Sequence, residues 1–312
     1  MTLVYIFIAL LTGIGIPLQT TINSRLCEYV KYPLLASFVA FAAGTVFLLL
    51  VSLAIGYDIF VPSATFLQEP WWIWLGGTIG VIGLTTNICL FPRIGSVQTV
   101  IIPMFGQIIM GVVIDHYGWF YSPHIPFSLP RMFGVLLVMT GVFMVIMPRK
   151  KEAEKQSATT QTKTRRIWQL VGFMAGMLVA ARNSINGQLG VVLESSIQAG
   201  LIALITGTAV LLIFTGIARQ GLTNITNAIK AKAPWWVWTG GILGAFFIVA
   251  IAYLVPLLGT GTVVIIGILG QLSCSLAIDK YGLLSSRKRP VTFRQIIGLG
   301  VLLIGAITVR EF

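Results

Sequence analysis

The chain has 312 residues, of which 56% are hydrophobic and only 10% charged, and its mean hydropathy is +0.92. Soluble domains carry about 25% charged residues, so this composition argues against a soluble enzyme or binding module. The formal net charge of +12 does not point to nucleic acid, because the basic residues sit in short loops between apolar runs.

The first run, LVYIFIALLTGIGIPL, has no basic segment before it and reads as a retained spanning helix over 3–23 rather than a cleaved signal. A second helix is predicted at 34–56, and others at 71–91, 97–114 and 132–147. The polar stretch PRKKEAEKQSATTQTKTRR follows, so residues 148–167 are read as a linker. Five more helices are predicted at 168–189, 199–217, 235–254, 262–278 and 295–309.

The two sets repeat each other. PWWIWLGG at 70–77 returns as PWWVWTGG at 234–241, an offset of 164. Gly106-Gln107 returns as Gly270-Gln271, and Asp115-His116-Tyr117-Gly118 as Asp279-Lys280-Tyr281-Gly282. Nearer the start the offset is 163, pairing Thr21-Ile22-Asn23 with Ser184-Ile185-Asn186 and Gly44-Thr45 with Gly207-Thr208. A register held over most of each half indicates duplication. The units are 1–147 and 168–312.

A unit of five crossings ends on the side opposite its start, so the second unit enters the membrane the other way up. The fold class expected is an all-α membrane protein, ten transmembrane helices in two inverted five-helix repeats. Charge orients it. Of 21 basic residues, all but Arg131, Arg182 and Arg310 fall on the side of the linker. That side is therefore expected to be cytoplasmic, with both termini outside the inner (plasma) membrane.

A duplicated five-helix unit with PWWxWxGG before its third helix resembles the YdcZ-like branch of the drug/metabolite transporter superfamily, in a fused two-unit form. The resemblance implies a ten-helix bundle. Its central cavity would be lined by the first, third and fourth helices of each half, with the fifth helices peripheral. It also implies an exporter, without identifying the substrate.

Polar residues within the apolar helices are the candidate substrate-binding groups: Arg182, Gln19, Asn23, Asn186, Gln107, Gln271 and Asn87. Gln19 and Asn23 share one face of the first helix, together with Thr12 and Gly15. Arg182, which aligns with Gln19, lies well inside the membrane, where a charge must face a cavity or a partner. Two readings of Arg182 stand: a site for an anionic or carboxylate-bearing solute, or a structural arginine bonding backbone carbonyls or snorkelling outward. Gln107 and Gln271 occupy equivalent mid-helix positions and read either as solute contacts or as an interhelical bond. Pro17, with Gly13 and Gly15, predicts a kink in the first helix. Asp115 and Asp279 lie at helix ends and read as loop or hydrogen-bonding residues, or as a gate.

No acidic residue falls mid-helix, so the buried glutamate of small multidrug exporters has no obvious seat here. No phosphate loop, metal-ligand cluster or nucleophile motif is present, so neither an enzyme nor a cofactor is expected. The leading function is secondary transport of a small polar metabolite, as an exporter, by alternating access. The alternative is a non-transporting scaffold or assembly partner of an envelope enzyme. Expected partners are the lipid bilayer and a small-molecule substrate, with a homodimer as a further option.

Overall fold

In the computed structural model, residues 2–57, 61–94, 96–146, 162–217, 223–283 and 290–311 are described. They form helices and no strand. The first half holds α1 (Thr2–Val30), α2 (Pro33–Ile55), a short α3 (Ser63–Gln68), α4 (Gly76–Ile94), α5 (Ser96–Tyr117) and α6 (Leu129–Ile146). The second half holds their counterparts in the same order: α7 (Thr162–Val192), α8 (Ser196–Ile217), a short α9 (Thr223–Lys230), α10 (Gly240–Leu258), α11 (Thr260–Tyr281) and α12 (Phe293–Glu311).

Several boundaries differ from those read off the sequence. α1 continues to Val30 instead of stopping at 23, and α7 begins at Thr162, inside the stretch read as linker. The third long helix of each half enters through a 3-10 turn, Trp71–Leu75 and Trp235–Trp238. Both turns follow a proline, Pro70 or Pro234, whose carbonyl accepts the N–H of Ile73 or Val237. α1 runs through Pro17 as one continuous helix. Membrane helices tolerate an internal proline where neighbours support the backbone.

Among the described residues, eight helical spans are long and apolar enough to cross a membrane: Leu3–Val30, Pro33–Ile55, Gln98–Tyr117, Leu129–Ile146, Ser196–Ile217, Trp235–Leu258, Thr260–Tyr281 and Phe293–Arg310. α4 and α7 are not in that set. α7 is diluted by Arg165, Arg166, Arg182, Asn183 and Asn186. It also packs on α4, α5, α8, α10 and α11. Burial by protein rather than lipid is what lets a helix carry those groups.

Equivalent positions make equivalent contacts. α5 crosses α7 so closely that a Cβ on Gly106 would run into the carbonyl of Phe173, and α11 crosses α1 so that a Cβ on Gly270 would run into that of Leu10. Phe173 and Leu10 are repeat counterparts. The same holds for Gly77 against Ala203 and Gly241 against Ala40. Thr45 Oγ1 lies 3.0 Å from Thr208 Oγ1, so a residue meets its own counterpart where α2 crosses α8. α6 and α12 pack mainly on each other, burying Val138, Val142, Leu302, Ala306 and Val309.

Small residues let membrane helices approach this closely, but not every glycine serves that end. A Cβ on Gly216 or Gly300 would meet nothing within 4 Å. Gly216→Ala and Gly300→Ala are therefore expected to be neutral or to stabilise by about 0.5–1 kcal/mol, through reduced backbone entropy. Melting temperature in detergent checks this; a fall of several degrees in either variant would show packing that these positions lack.

Candidate functional site

The polar face of α1 lies on α10, and the polar face of α7 lies on α4, with matching geometry. Gln19 packs over Gly244, where a Cβ would come 2.5 Å from its Nε2. Arg182, its counterpart, packs over Gly80, with Nη1 3.2 Å and Cδ 3.3 Å from the place of a Cβ. One turn further on, Asn23 Oδ1 fills the space over Gly240, and Asn186 Oδ1 that over Gly76. Four glycines thus make four seats for polar side chains. The spacing of four residues on each helix puts both seats on one face.

Arg182 also stacks on α10. Its guanidinium carbon is 5.9 Å from the centroid of the Phe247 ring, while Nη2 donates to Asn183 Oδ1 at 3.1 Å. Phe247 is three residues beyond Gly244, so Arg182 and Gln19 reach the same stretch of α10 from opposite halves. Sequence reading missed Phe247, because its repeat counterpart is Gly83 and no pattern marks it.

The candidate residues share a second property. Arg182 Nε, Asn23 Oδ1 and Asn186 Oδ1 are enclosed and have no hydrogen-bond partner. Asn186 is only 2% exposed. Gln19, Gln107 and Gln271 are half-buried. Among the described residues no hydrogen bond between Gln107 and Gln271 is seen. Gln107 is four residues from Pro103, which meets Gly176 of α7, and four from Gly111, which meets Gly261 of α11. It therefore lies on the face of α5 turned toward the bundle interior. Asn87 is on α4, and its side chain lies outside the described residues.

The two ends of the bundle differ. At one end α7 packs on α10, Gly187 against Val255 and Gly190 against Ala252. The matching face of α1 stays open: Thr20 and Ser24 are exposed, whereas their counterparts Asn183 and Gly187 are buried.

The closed end is tied by a cluster that the sequence did not reveal. α5 runs past its predicted end, which places Asp115 in its last turn, fully buried. Asp115 Oδ1 accepts the backbone N–H of Thr260 at 2.6 Å, and Oδ2 accepts that of Gly261 at 2.9 Å and Arg131 Nη2 at 2.8 Å. A carboxylate of the first half thus caps α11 of the second, satisfying helix N–H groups that would otherwise be orphaned. Ser122 Oγ stands 3.3 Å from Asp115 Oδ1, and Arg131 Nη1 donates to the carbonyl of Ile125 at 2.8 Å. Asp115 therefore makes the hydrogen bonds considered for it.

Three comparisons bear on these features. A comparison with curated proteins gives no match. A solved structure titled only "Crystal structure of protein" aligns with a TM-score of 0.65 at 13% identity, covering 99% of this chain and 96% of that one. At that identity the likeness concerns the fold alone. The family model described as "Putative inner membrane exporter, YdcZ" matches twice, over residues 4–144 and 167–308, one match to each half. A chain matched in both halves by a membrane exporter model, and carrying this many apolar spans, is a multi-pass membrane protein and belongs to the YdcZ family of the drug/metabolite transporters.

Proposed function

We propose that the chain exports a small polar metabolite by alternating access between two inverted five-helix repeats, residues 1–147 and 168–312. α4 and α7 complete ten crossings in this reading. The 18 basic residues on the linker side support a cytoplasmic linker with both termini outside. The solute site lies between α1, α4, α7 and α10, with Gln19, Asn23, Arg182 and Asn186 as its first contacts. Gln107 and Gln271 line its flanks.

One observation carries the reading. Asn23 Oδ1 of the first half and Asn186 Oδ1 and Arg182 Nε of the second are enclosed in an apolar bundle and find no partners in it. Such groups cost free energy unless water or a solute meets them. A scaffold has no need of them. The unequal ends add the second requirement of a transporter, a path open on one side at a time. With the linker side cytoplasmic, the open end is the inward one, and export would require the Asp115 tie to break when the outer end opens.

Paired cysteines test this without knowledge of the solute. In a background lacking Cys27, Cys89 and Cys274, Gly190→Cys with Ala252→Cys reports the closed end. Ser24→Cys with Phe91→Cys, the positions equivalent to Gly187 and Val255, reports the open end. Both pairs are expected to crosslink in membranes. Locking the first should suppress the yield of the second. Yields that do not influence each other would remove alternating access.

A further inference from the structure

We infer that the transported solute is a small monocarboxylate, bound through its carboxylate by the guanidinium of Arg182; this rests on the transport reading and gives it a substrate class. The argument begins with charge. Two described arginines lie in the bundle interior, and they are treated differently. Arg131 is neutralised by Asp115 at 2.8 Å. Among the described residues Arg182 has no carboxylate within 4.0 Å, and its side chain donates only to the neutral amide of Asn183. Its Nε is enclosed and unpartnered. The Phe247 ring covers part of the group without neutralising it. A guanidinium taken out of water is costly unless an anion joins it. No described residue around it supplies one, so the anion has to arrive from outside.

Geometry narrows the class. The planar fork of arginine matches the two oxygens of a carboxylate. A phosphate ester would bring close to two charges to a single cation, and every other candidate group nearby is a neutral amide: Gln19, Asn23, Asn183, Asn186. The remainder of the solute should therefore carry neutral hydrogen-bonding groups. An organic cation would find no carboxylate here and a like charge in Arg182.

The repeat adds support. The counterpart of Arg182 is Gln19, seated over the equivalent glycine. The position therefore accepts a neutral amide without loss of packing, and the charge in the second half is not a demand of the fold.

Purified full-length protein in detergent would be tested by thermal shift and calorimetry with acetate, lactate and pyruvate, each against its own amide, at fixed chloride. At least one carboxylate is expected to raise the melting temperature saturably, and its amide to do nothing. R182K should weaken that binding about tenfold or more, because the fork is lost while the charge stays. R182Q should abolish it while keeping a monodisperse, folded protein. R25Q, at an exposed site, should bind as wild type. No shift with any carboxylate, equal shifts with the amides, or a shift that survives R182K unchanged would overturn the assignment, and none of these needs R182Q to fold. Flux of the bound carboxylate in liposomes separates the two claims. Binding without flux leaves the anion site and removes transport; flux that ignores Arg182 does the reverse.

Discussion

Arg131→Ala is expected to lower folding stability by about 3–5 kcal/mol, the typical cost of leaving one member of a buried ion pair alone. Both partners are 0% exposed, so no water compensates the loss. The substitution strands the carboxylate of Asp115 and frees the carbonyl of Ile125 at once. Asp115→Ala should cost at least as much, since it also uncaps the N–H groups of Thr260 and Gly261 at the start of α11. For a chain of this size the melting midpoint should fall by roughly 10 °C. Gln295 is the built-in control. It stands where the second half repeats Arg131, and its Nε2 donates to the neutral carbonyl of Val145 at 3.1 Å. Its Oε1 also accepts the N–H and the hydroxyl of Thr292 at 2.9 and 3.0 Å, so Gln295→Ala, which breaks only neutral hydrogen bonds, should cost about 1–2 kcal/mol. Equal midpoints for Arg131→Ala and Gln295→Ala would show that the ion pair contributes nothing beyond an ordinary bond.

Gly241→Val should be at least as damaging, and by a different route. A Cβ there would coincide with the carbonyl of Ala40 and lie 2.9 Å from the backbone N of Gly44. Backbone cannot swing aside as a side chain can, so α10 must retreat from α2. Overpacking usually costs about 1–3 kcal/mol, and more when backbone has to move. Gly77→Val should match it, because its Cβ would meet the carbonyl of Ala203 and the N of Gly207 in the same arrangement. Both variants are expected to be poorly recovered as monodisperse protein, with Gly216→Ala as the unaffected comparison. Wild-type recovery and midpoint for Gly241→Val would mean that α2 and α10 do not approach as closely as described.

The sequence by itself determined the class of the protein and its internal duplication. Hydropathy depends only on composition along the chain, and a repeat offset depends only on register. Both survive without any knowledge of contacts. The polar candidates were legible for the same reason: Gln19, Asn23, Arg182 and Asn186 stand out because their neighbours are apolar.

Tertiary structure decided what each of them touches. Asp115 looked like a helix-end residue because its two helix N–H partners are 145 and 146 residues away. Arg131 looked like one of three basic residues left over on the outer side, and nothing local announces that it is buried. The first-helix polar stripe of each half faces the third helix of the other half, over glycines whose role is empty space. Empty space has no sequence pattern of its own. The unequal ends of the bundle are likewise invisible in the chain. Closure of α7 on α10, and the exposure of Thr20 and Ser24 where α7 has buried Asn183 and Gly187, depend on how two similar halves settle against each other. That balance is set by packing between helices, not by periodicity within them.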